Sequence, residues 1–490
     1  MNSGNIWVDV FNWAILGYSL FLLVGYITIG LFSIHETKSY MHKNSFTDYR
    51  TLAGSTEVPG FSILAPAYNE GATIIESVRS LLSIHYNNSE LIIINDGSKD
   101  DTLEKLIKGY DLFQVDHFNN ELVPAKKVRG VYKSSNPVYP KLVVVDKENG
   151  GKADALNAGI NISCKDYILC IDVDCILEQD ALLKMAKPFM EHPGNRVIAS
   201  GGVVRIANDC VVKNGRLQKV NLPNGFLPRV QTLEYIRAFL LGRMAWTRLN
   251  GLLLISGAFG AFDKDIVIKC GGYNHATVGE DMELVVRMRR YMEERKEPYK
   301  VTYIPDPLCW TEAPASYKIL GRQRNRWARG TIETLWIHRK MFFNPKYGLL
   351  GMVSYPYWFF FEFLAPIVEF FGFITFIAFA LLGYIDWMPF FYILGFILSF
   401  GFLYSLFSIF MEVITYNQYK KQRDIWRLIL TALAEPFLFH PFLVWSAIKG
   451  NIDLVRRKNS WGEMTRQGFS TPAVEVKIEP LKSVMHPTIS

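Results

Sequence analysis

The sequence predicts an α/β protein in which a doubly wound, mostly parallel sheet is inserted between transmembrane and interfacial helices. Apolar strands alternate with helices between residues 61 and 171, which is the pattern of a parallel sheet covered by helices. Two long apolar regions, residues 11–32 and 349–413, flank this block and are long enough to cross a bilayer. Polar residues directly follow the predicted strands, where such sheets bind their ligands.

The domain organisation follows from where the apolar residues lie. The 490 residues are 50% hydrophobic and 14% aromatic, and this excess is concentrated in the two flanking regions. The residues between them carry an ordinary density of charge and predict one large water-soluble domain, entered through a linker at residues 37–59. The predicted parts are an N-terminal transmembrane segment, the α/β domain, C-terminal interfacial and transmembrane segments and a basic tail, at residues 1–36, 37–346, 347–450 and 451–490.

The net charge of +7 fits a membrane surface better than a nucleic acid. Lys38, Lys43 and Arg50 follow the first apolar region, and a basic stretch at residues 322–346 precedes the second. By the positive-inside rule both flanks are cytoplasmic, so we expect a multi-pass protein of the cell membrane with a cytoplasmic domain. A cleaved signal peptide is disfavoured, because no basic residue precedes residue 11 and no small-residue cleavage site follows residue 32.

Hydrophobic periodicity predicts the order of the elements in the soluble domain. The predicted strands span residues 61–66, 90–95, 141–145 and 167–171. Predicted helices span residues 72–85, 150–160 and 231–246, and another begins near Asp100. Residues 208–229 are rich in glycine and proline, which predicts a loop or a hairpin insertion.

The C-terminal apolar region predicts several membrane segments. Residues 347–382 are longer than one span requires and contain Pro356 and Pro366, so we expect an interfacial helix followed by a span. A second span covers residues 390–413. Residues 428–448 are interrupted by prolines and followed by basic residues, which a full crossing would leave outside the cell. A re-entrant or interfacial segment is therefore favoured over a further span.

The cysteine pattern agrees with a reducing compartment. Six cysteines lie in the soluble block without Cys-x-x-Cys spacing or a nearby histidine partner. We therefore expect reduced, mostly buried thiols rather than a disulfide framework or a zinc site.

Three carboxylates follow predicted strands. Asp96 is placed to accept hydrogen bonds from a ligand, although Asn-Asp-Gly-Ser is also an ordinary turn sequence. Asp172 and Asp174 come after the strand at residues 167–171, and positions i and i+2 of an extended strand end share a face. Both carboxylates can therefore approach one hard cation. A solvated loop is the alternative, and the buried strand before the pair disfavours it.

Further polar motifs occur at predicted helix starts and before the second apolar region. Lys152 follows two glycines, where it can hold phosphate or belong to a solvated helix cap. Glu280 and Asp281 lie at the start of a predicted helix. For Glu280, a functional role and a charge that is simply favoured by the helix dipole are equally good interpretations. For Asp281 we prefer the role of a general base. Arg326 can hold a diphosphate and Trp327 offers a face for stacking, although their segment also fits a basic helix at a membrane surface.

As an ordered set, these motifs resemble those of a known family. The set is Asp96, Asp172-Val173-Asp174, Gly279-Glu280-Asp281 and Gln323-Arg324-Asn325-Arg326-Trp327. It resembles the membrane-integrated family 2 glycosyltransferases, which include cellulose, hyaluronan, chitin and poly-N-acetylglucosamine synthases. The resemblance covers residues 61–327 closely and the membrane segments more loosely. It implies a GT-A type nucleotide-sugar domain, an inverting transfer from a UDP-sugar, and Mg²⁺ or Mn²⁺ as cofactor.

The resemblance also implies roles for single residues. The UDP-sugar donor would be bound by Ala67, Asn69, Glu70, Asp96, Lys152, Asp172, Gln323 and Arg326. The metal would be held by Asp172 and Asp174, and Asp281 would be the catalytic base. The growing glycan acceptor would be bordered by Gly257, Glu280 and Trp327.

Two features depart from the family pattern. About three C-terminal membrane segments and no cyclic-dinucleotide-binding domain follow the soluble block, which argues against a cellulose synthase in the strict sense. The segment Trp461-Gly462-Glu463-Met464-Thr465-Arg466 is similar to a tail signal of hyaluronan-type enzymes, but its spacing differs. Size and layout are closest to the poly-N-acetylglucosamine synthase group.

Three hypotheses follow. The leading one is a synthase that extends a β-linked polysaccharide from UDP-N-acetylglucosamine or UDP-glucose and passes it into the lipid bilayer, with export or accessory proteins as candidate partners. The second is a non-processive transferase that adds one sugar to a lipid carrier, which the segment at residues 323–327 disfavours. The third is a membrane receptor that binds a nucleotide-sugar, for which Asp281 would be dispensable.

Overall fold

The computed structural model describes residues 6–456, apart from residues 56, 118–119, 192–193 and 214. Most of the predicted basic tail lies outside the described residues, and so does the segment at residues 461–466.

Among the described residues, ten strands form one mixed sheet and two form a separate hairpin. In chain order the strands are β1 (Phe61–Ala67), β2 (Ser89–Asn95), β3 (Leu112–Val115), β4 (Val128–Ser134), β5 (Leu142–Lys147), β6 (Tyr167–Ile171), β7 (Ile176–Leu177), β8 (Arg196–Ile206), β9 (Val211–Lys213), β10 (Arg216–Lys219), β11 (Phe259–Asp263) and β12 (Tyr299–Thr311). The sheet order is β3-β4-β5-β2-β1-β6-β11-β8-β12-β7. The predicted α/β class is confirmed.

Helices cover the sheet and continue into the membrane-length segments. They are α1 (Ile6–Ser45), α2 (Tyr49–Gly54), α3 (Ile74–Leu82), α4 (Thr102–Gly109), α5 (Lys152–Ile162), α6 (Ala181–Met190), α7 (Phe226–Tyr235), α8 (Met244–Arg248), α9 (Lys264–Lys269), α10 (Glu280–Arg295), α11 (Tyr317–Ile337), α12 (Tyr355–Tyr357), α13 (Ala365–Leu381), α14 (Trp387–Thr415), α15 (Gln422–Leu438) and α16 (His440–Val455). The largest buried apolar cluster lies between the central strands and the helices that cover them.

The centre of the sheet, β5-β2-β1-β6, is parallel, as the sequence predicts. These strands are short runs of mainly apolar residues that are mostly buried, which is the composition of parallel strands covered by helices. The helix α5 lies so close to them that a Cβ added at Gly159 would be 3.1 Å from Ile94 and Leu64. Because the four strands share one direction, their carboxyl ends meet at one edge of the sheet.

The sequence did not predict the strands that complete the sheet on either side of this centre. The strand β11 pairs antiparallel with β6 and β8, while β3 and β4 form the opposite edge. The strand β8 contains Gly201 and Gly202, and glycine is a weak strand former. The structure explains both glycines, because added Cβ atoms would lie 2.7 Å from the ring of Tyr303 and 2.4 Å from that of Phe259.

The predicted insertion at residues 208–229 is a hairpin formed by β9 and β10, but its predicted end is too late. The following helix begins at Phe226 rather than at residue 231. Pro228 lies in the first turn of this helix, where its missing N–H costs no intrahelical hydrogen bond. Proline was therefore a misleading signal for a loop at this position.

Three helices in the described part of the chain are long and apolar enough to cross a membrane: Val8–Ser45, Leu350–Leu381 and Trp387–Thr415. Pro356 does not break the second helix, because it lies between π-helical segments at Leu350–Ser354 and Trp358–Phe363. The regular helix α13 begins only at Ala365, next to Pro366, and the predicted interfacial helix followed by a span stays a prediction. The helices α15 and α16 bend by 49° where they meet, which fits either a re-entrant segment or a broken span.

The helix α1 contacts the α/β domain directly. It has 40 residues and is therefore about 60 Å long, roughly twice the hydrocarbon thickness of a bilayer. Ser33 donates a hydrogen bond to the carbonyl of Leu240 at 2.8 Å, and the hydroxyl of Tyr40 donates one to Asp306. The predicted linker is wrong for residues 37–45, which continue this helix.

A buried ion pair joins the sheet to a membrane-length helix. Arg205 on β8 and Glu412 on α14 are each 2% exposed and are hydrogen-bonded to each other. A buried charge is costly without its partner, so this pair constrains where α14 lies against the sheet.

We expect Arg205→Met to lower the free energy of unfolding by about 3–5 kcal/mol, because it leaves the Glu412 carboxylate buried without a counter-charge. Thermal and denaturant unfolding in one detergent measure the change. The double variant Arg205→Met/Glu412→Met should recover most of the loss, since no charge then remains buried. As a control, Arg248→Met removes the more exposed pair with Glu36 and should change stability by less than about 1 kcal/mol. Equal losses for both single variants would contradict this account.

Candidate active site

A cavity of about 880 Å³ opens at the carboxyl edge of the sheet, a volume typical of ligand pockets. Eight of the residues singled out in the sequence line it: Lys152, Asp172, Gly257, Glu280, Asp281, Gln323, Arg326 and Trp327. The remaining five are not among its lining residues: Ala67, Asn69, Glu70, Asp96 and Asp174. The cavity thus brings together side chains that are up to 175 residues apart in the chain.

Asp172 and Asp174 lie in the loop after β6, where a divalent ion fits. Their carboxylate oxygens and the thiol of Cys175 all lie within 4.8 Å of one another. The Asp172 side chain is 29% exposed and lines the cavity, whereas Asp174 is buried behind it. Carboxylate oxygens are the ligands that Mg²⁺ and Mn²⁺ prefer, so the pair can hold an ion that also reaches a ligand in the cavity.

The nearby thiol of Cys175 was not predicted. A hydrogen bond with Cys309 and burial raise the pKa of Cys175, so the thiol stays neutral and leaves the carboxylates as the stronger ligands. All six cysteines are free, as predicted, but only three of them are buried.

Lys152 connects the Asp172 carboxylate with the backbone at Gly257. It begins α5, and its ammonium lies 2.5 Å from Asp172 and 3.1 Å from the carbonyl of Gly257. Burial alone would lower the pKa of Lys152, but the charges of Asp172 and Glu280 outweigh it, so the pKa is raised. Lys152 therefore stays protonated and positively charged at the place where an anionic ligand would enter.

Asp281 and Glu280 lie at the start of α10 and differ in their surroundings. The carboxylate of Asp281 accepts backbone N–H groups from Gly257 at 3.0 Å and Met282 at 2.8 Å. Glu280 is 6% exposed, and burial together with the charge of Asp281 raises its pKa to about 6. A Cβ at Gly257 would lie 3.2 Å from Lys152 and 3.3 Å from Asp281, so the glycine lets both groups converge.

The helix α11 supplies the opposite wall of the cavity. Gln323, Arg326 and Trp327 line it, and Trp327 is 40% exposed. Arg324 lies 4.3 Å from the Trp327 ring and forms two hydrogen bonds with Glu234, at 2.6 and 2.7 Å. Arg324 thus holds the indole in place. Sequence reasoning gave it no role, although an arginine three positions before a tryptophan on a helix is a signal for such stacking.

Asp96 lies behind the cavity and organises the turn before Lys152. Its carboxylate accepts the backbone N–H groups of Gly150 at 2.9 Å and Gly151 at 2.8 Å. The ammonium of Lys147 lies 2.6 Å from the same carboxylate. In this arrangement Asp96 is occupied by internal donors, and its predicted contact with a nucleotide stays a prediction.

Lys147 was missed by sequence reasoning because a lysine that ends an apolar strand usually reaches solvent. Its side chain is fully buried and also lies 2.5 Å from Asp154 on α5. The available signal was position: β2 and β5 are neighbours, so Lys147 and Asp96 follow adjacent strands at the same edge.

Ala67, Asn69 and Glu70 form the loop beside Asp96. The carbonyl of Ala67 accepts the N–H of Asp96 at 2.9 Å. Asn69 adopts φ 56°, and its side chain accepts the N–H of Lys99 at 2.8 Å. These three residues therefore shape the rim next to Asp96, and their ligand contacts remain predictions.

Two sequence families match this chain. The family described as Glycosyl transferase family 2 matches residues 62–252. The family described as Glycosyl transferase family group 2 matches residues 167–418, which are more than half of the 490 residues. The second match includes Asp172, Asp281 and Trp327 together with α13 and α14.

Two similar curated proteins are named poly-beta-1,6-N-acetyl-D-glucosamine synthase. The protein of Staphylococcus aureus strain COL is 30% identical over 281 residues, which are 57% of this chain and 56% of the relative. The protein of Staphylococcus epidermidis strain ATCC 35984 is 28% identical over 332 residues, 67% of each chain. The chain therefore spans little more than half the length of the first of these relatives.

A solved structure with a similar course of the chain is a mannosyltransferase from Pyrobaculum calidifontis in complex with GDP-Man and Mn²⁺. The similarity covers 88% of this chain and 99% of that one, with 13% sequence identity and a TM-score of 0.48.

We expect Asp96→Asn to destabilise the protein even without any nucleotide, because Lys147 loses one of its two buried counter-charges. The expected loss is about 3–5 kcal/mol of unfolding free energy. Asp101→Asn is the control, since that carboxylate is 52% exposed and its ion pair with Lys105 lies at the surface. If Asp96→Asn changed stability no more than the control while weakening nucleotide binding, Asp96 would be a ligand contact instead.

The raised pKa of Glu280 makes the stability of the fold depend on pH. The folded protein holds this proton more tightly than an unfolded chain does, so the contribution to stability is present below pH 4.5 and is lost as pH rises through about 6. The loss is at most about 2 kcal/mol. Unfolding midpoints of Glu280→Gln should exceed those of the parent above pH 6 and converge with them below pH 4.5. Glu297→Gln, at an exposed position, should show no such difference.

Proposed function

Because the chain belongs to glycosyl transferase family group 2, we propose that it is an inverting membrane glycosyltransferase that extends a β-linked polysaccharide from a UDP-sugar. UDP-N-acetylglucosamine is the favoured donor, since the similar curated proteins are named for a polymer of that sugar. UDP-glucose is the alternative. The α/β domain would lie in the cytoplasm and the product would leave through the membrane, with export or accessory proteins as candidate partners.

The observation that carries the proposal is the extent of the cavity. It begins at Asp172 and Asp281 and continues past Trp327 to Tyr18 on α1 and Glu369 on α13. A site that bound only a nucleotide-sugar would not need a continuation lined by helices of membrane length. A growing glycan needs one, and aromatic and polar side chains suit its alternating apolar faces and hydroxyl groups.

Four charged residues would bind the donor and its metal ion. Lys152 and Arg326 would bind the diphosphate, with Arg326 able to form two parallel hydrogen bonds. Asp172 and Asp174 would hold Mg²⁺ or Mn²⁺, which when bound neutralises charge on the leaving diphosphate. Lys152 and Asp172 are already 2.5 Å apart, so these groups need no rearrangement to act on one phosphate group.

The helices α10 and α11 would supply most of the residues that bind and deprotonate the acceptor sugar. Trp327 would stack on the terminal sugar, and Gly257 and Glu280 would border it. Asp281 would take the proton from the attacking hydroxyl of the acceptor sugar. The oxygen of that hydroxyl would form a bond to the anomeric carbon of the donor while the bond between this carbon and the diphosphate oxygen breaks. The hydrogen bonds from Gly257 and Met282 hold the Asp281 carboxylate in one orientation for this proton transfer.

The test uses the full chain in detergent or nanodiscs with a panel of UDP-sugars and either Mg²⁺ or Mn²⁺. Release of UDP and the size of the glycan product are measured. We expect long products from one donor, loss of activity with EDTA, and a fall of at least about 100-fold in kcat for Asp281→Asn with unchanged UDP affinity. Asp265→Asn is the control, because that carboxylate is 50% exposed in a surface ion pair.

Other outcomes assign the competing functions. Products that carry a single added sugar on a lipid would identify a non-processive transferase. Binding of a UDP-sugar without release of UDP from any donor, and equally in Asp281→Asn, would identify a receptor.

A further inference from the structure

A loop at residues 273–279 joins the two halves of the site, and Glu333 holds one end of it. This loop leads directly into α10, which carries Asp281. One carboxylate oxygen of Glu333 on α11 accepts the hydroxyl of Thr277 and the backbone N–H of Val278, both at 2.8 Å. Glu333 therefore ties the start of α10 to the helix that carries Arg326 and Trp327.

Close backbone packing accompanies these hydrogen bonds. A Cβ added at Gly279 would lie 2.7 Å from the Cα of Gly330, and one at Gly330 would lie 2.6 Å from the Cα of Gly279. The two glycines therefore let the loop and α11 meet without intervening side chains. Gly279 precedes α10 directly, so any shift of this contact moves Glu280 and Asp281 as well.

The other end of the loop is held independently by α5. Asn157 accepts the N–H of Tyr273 at 2.7 Å, and its amide group donates to the carbonyl of the same residue at 3.0 Å. His275 lies 3.4 Å from Asp154 and 2.8 Å from Asn157. Loss of the Glu333 contacts would therefore release only the end of the loop next to Asp281.

We propose that Glu333 is a positioning residue that fixes the distance between Asp281 and Trp327, which forms the acceptor wall on α11. Glu333 is not among the residues that line the cavity, so it acts through Thr277 and Val278 rather than on a substrate. The inference rests on the proposed function, in which Asp281 must meet an acceptor hydroxyl held against α11. A displacement of about 1 Å in such a geometry costs on the order of 100-fold in rate.

The kinetic test compares Glu333→Ala with Glu333→Gln in the full chain. The alanine variant loses both hydrogen bonds, and we expect kcat for sugar transfer to fall about 10- to 100-fold. The KM for the UDP-sugar and the Kd for UDP should stay within about twofold, because α5 and the loop after β6 are untouched. The glutamine variant keeps one acceptor oxygen and should stay within about threefold of the parent.

A second measurement does not depend on activity. Val278 donates its N–H to Glu333, so Glu333→Ala should speed amide hydrogen exchange in peptides that cover residues 277–282. Peptides that cover residues 150–175 should exchange at the parental rate. Thr277→Val removes the hydroxyl that donates to Glu333 and accepts the N–H of Gly279 at 3.1 Å, so it should also speed exchange in this segment. Thr277→Ser keeps that hydroxyl and should restore the parental values.

Several results would overturn the proposal. They are a parental kcat in Glu333→Ala, an equal loss of UDP affinity, a glutamine variant as impaired as the alanine variant, or unchanged exchange in residues 277–282. Failure of the proposed function is distinguishable, because the parent protein itself would then make no long glycan. The exchange measurement would still decide whether Glu333 holds the loop.

Discussion

The turn that precedes Lys152 depends on one buried charge, the ammonium of Lys147. Two carboxylates from different elements, Asp96 after β2 and Asp154 on α5, can be buried together only because this cation lies between them. The same Asp96 carboxylate accepts the N–H groups of Gly150 and Gly151. One ion cluster therefore sets the end of the sheet, the turn and the start of α5, and through them the direction in which Lys152 approaches Asp172.

Local sequence patterns were sufficient for the parallel centre of the sheet and insufficient for its edges. The strands β1, β2, β5 and β6 are mainly apolar runs, and each is followed by a polar turn. The hydrophobic pattern and the turn residues therefore predict the same strand ends. The strand β8 carries two adjacent glycines because the rings of Tyr303 and Phe259 pack against it. These rings come from β12 and β11, which neighbour β8 in the sheet but lie more than 50 residues away in the sequence. No local pattern contains that information. The same limit applies to Pro228, whose meaning depends on its position within a helical turn rather than on its identity.

The sequence motifs identified most of the residues with which the site could act on a ligand, and few of the residues that hold them in place. Asp172, Asp281 and Trp327 belong to motifs whose residue types suggest a ligand. Lys147 and Glu333 have ordinary neighbours in the sequence, and their importance comes from partners that lie 51 and 56 residues away. Arg324 belongs to one of the motifs, but its partner Glu234 lies 90 residues away. Long-range pairing of this kind is fixed by the fold, and a single sequence carries no direct sign of it. The structure thus adds mainly the residues that hold the others in place.

The unbroken helix α1 links the membrane-length region directly to the α/β domain. Tyr26 packs on Tyr404 of α14 within the apolar region, while Ser33 and Tyr40 farther along the same rod contact the domain. A helix of this length responds to a thicker or thinner hydrocarbon layer by tilting. Because the helix continues to Ser45 and contacts the α/β domain, such a tilt would also turn the domain. The length of the lipid acyl chains would then change the angle at which the carboxyl edge of the sheet faces the membrane.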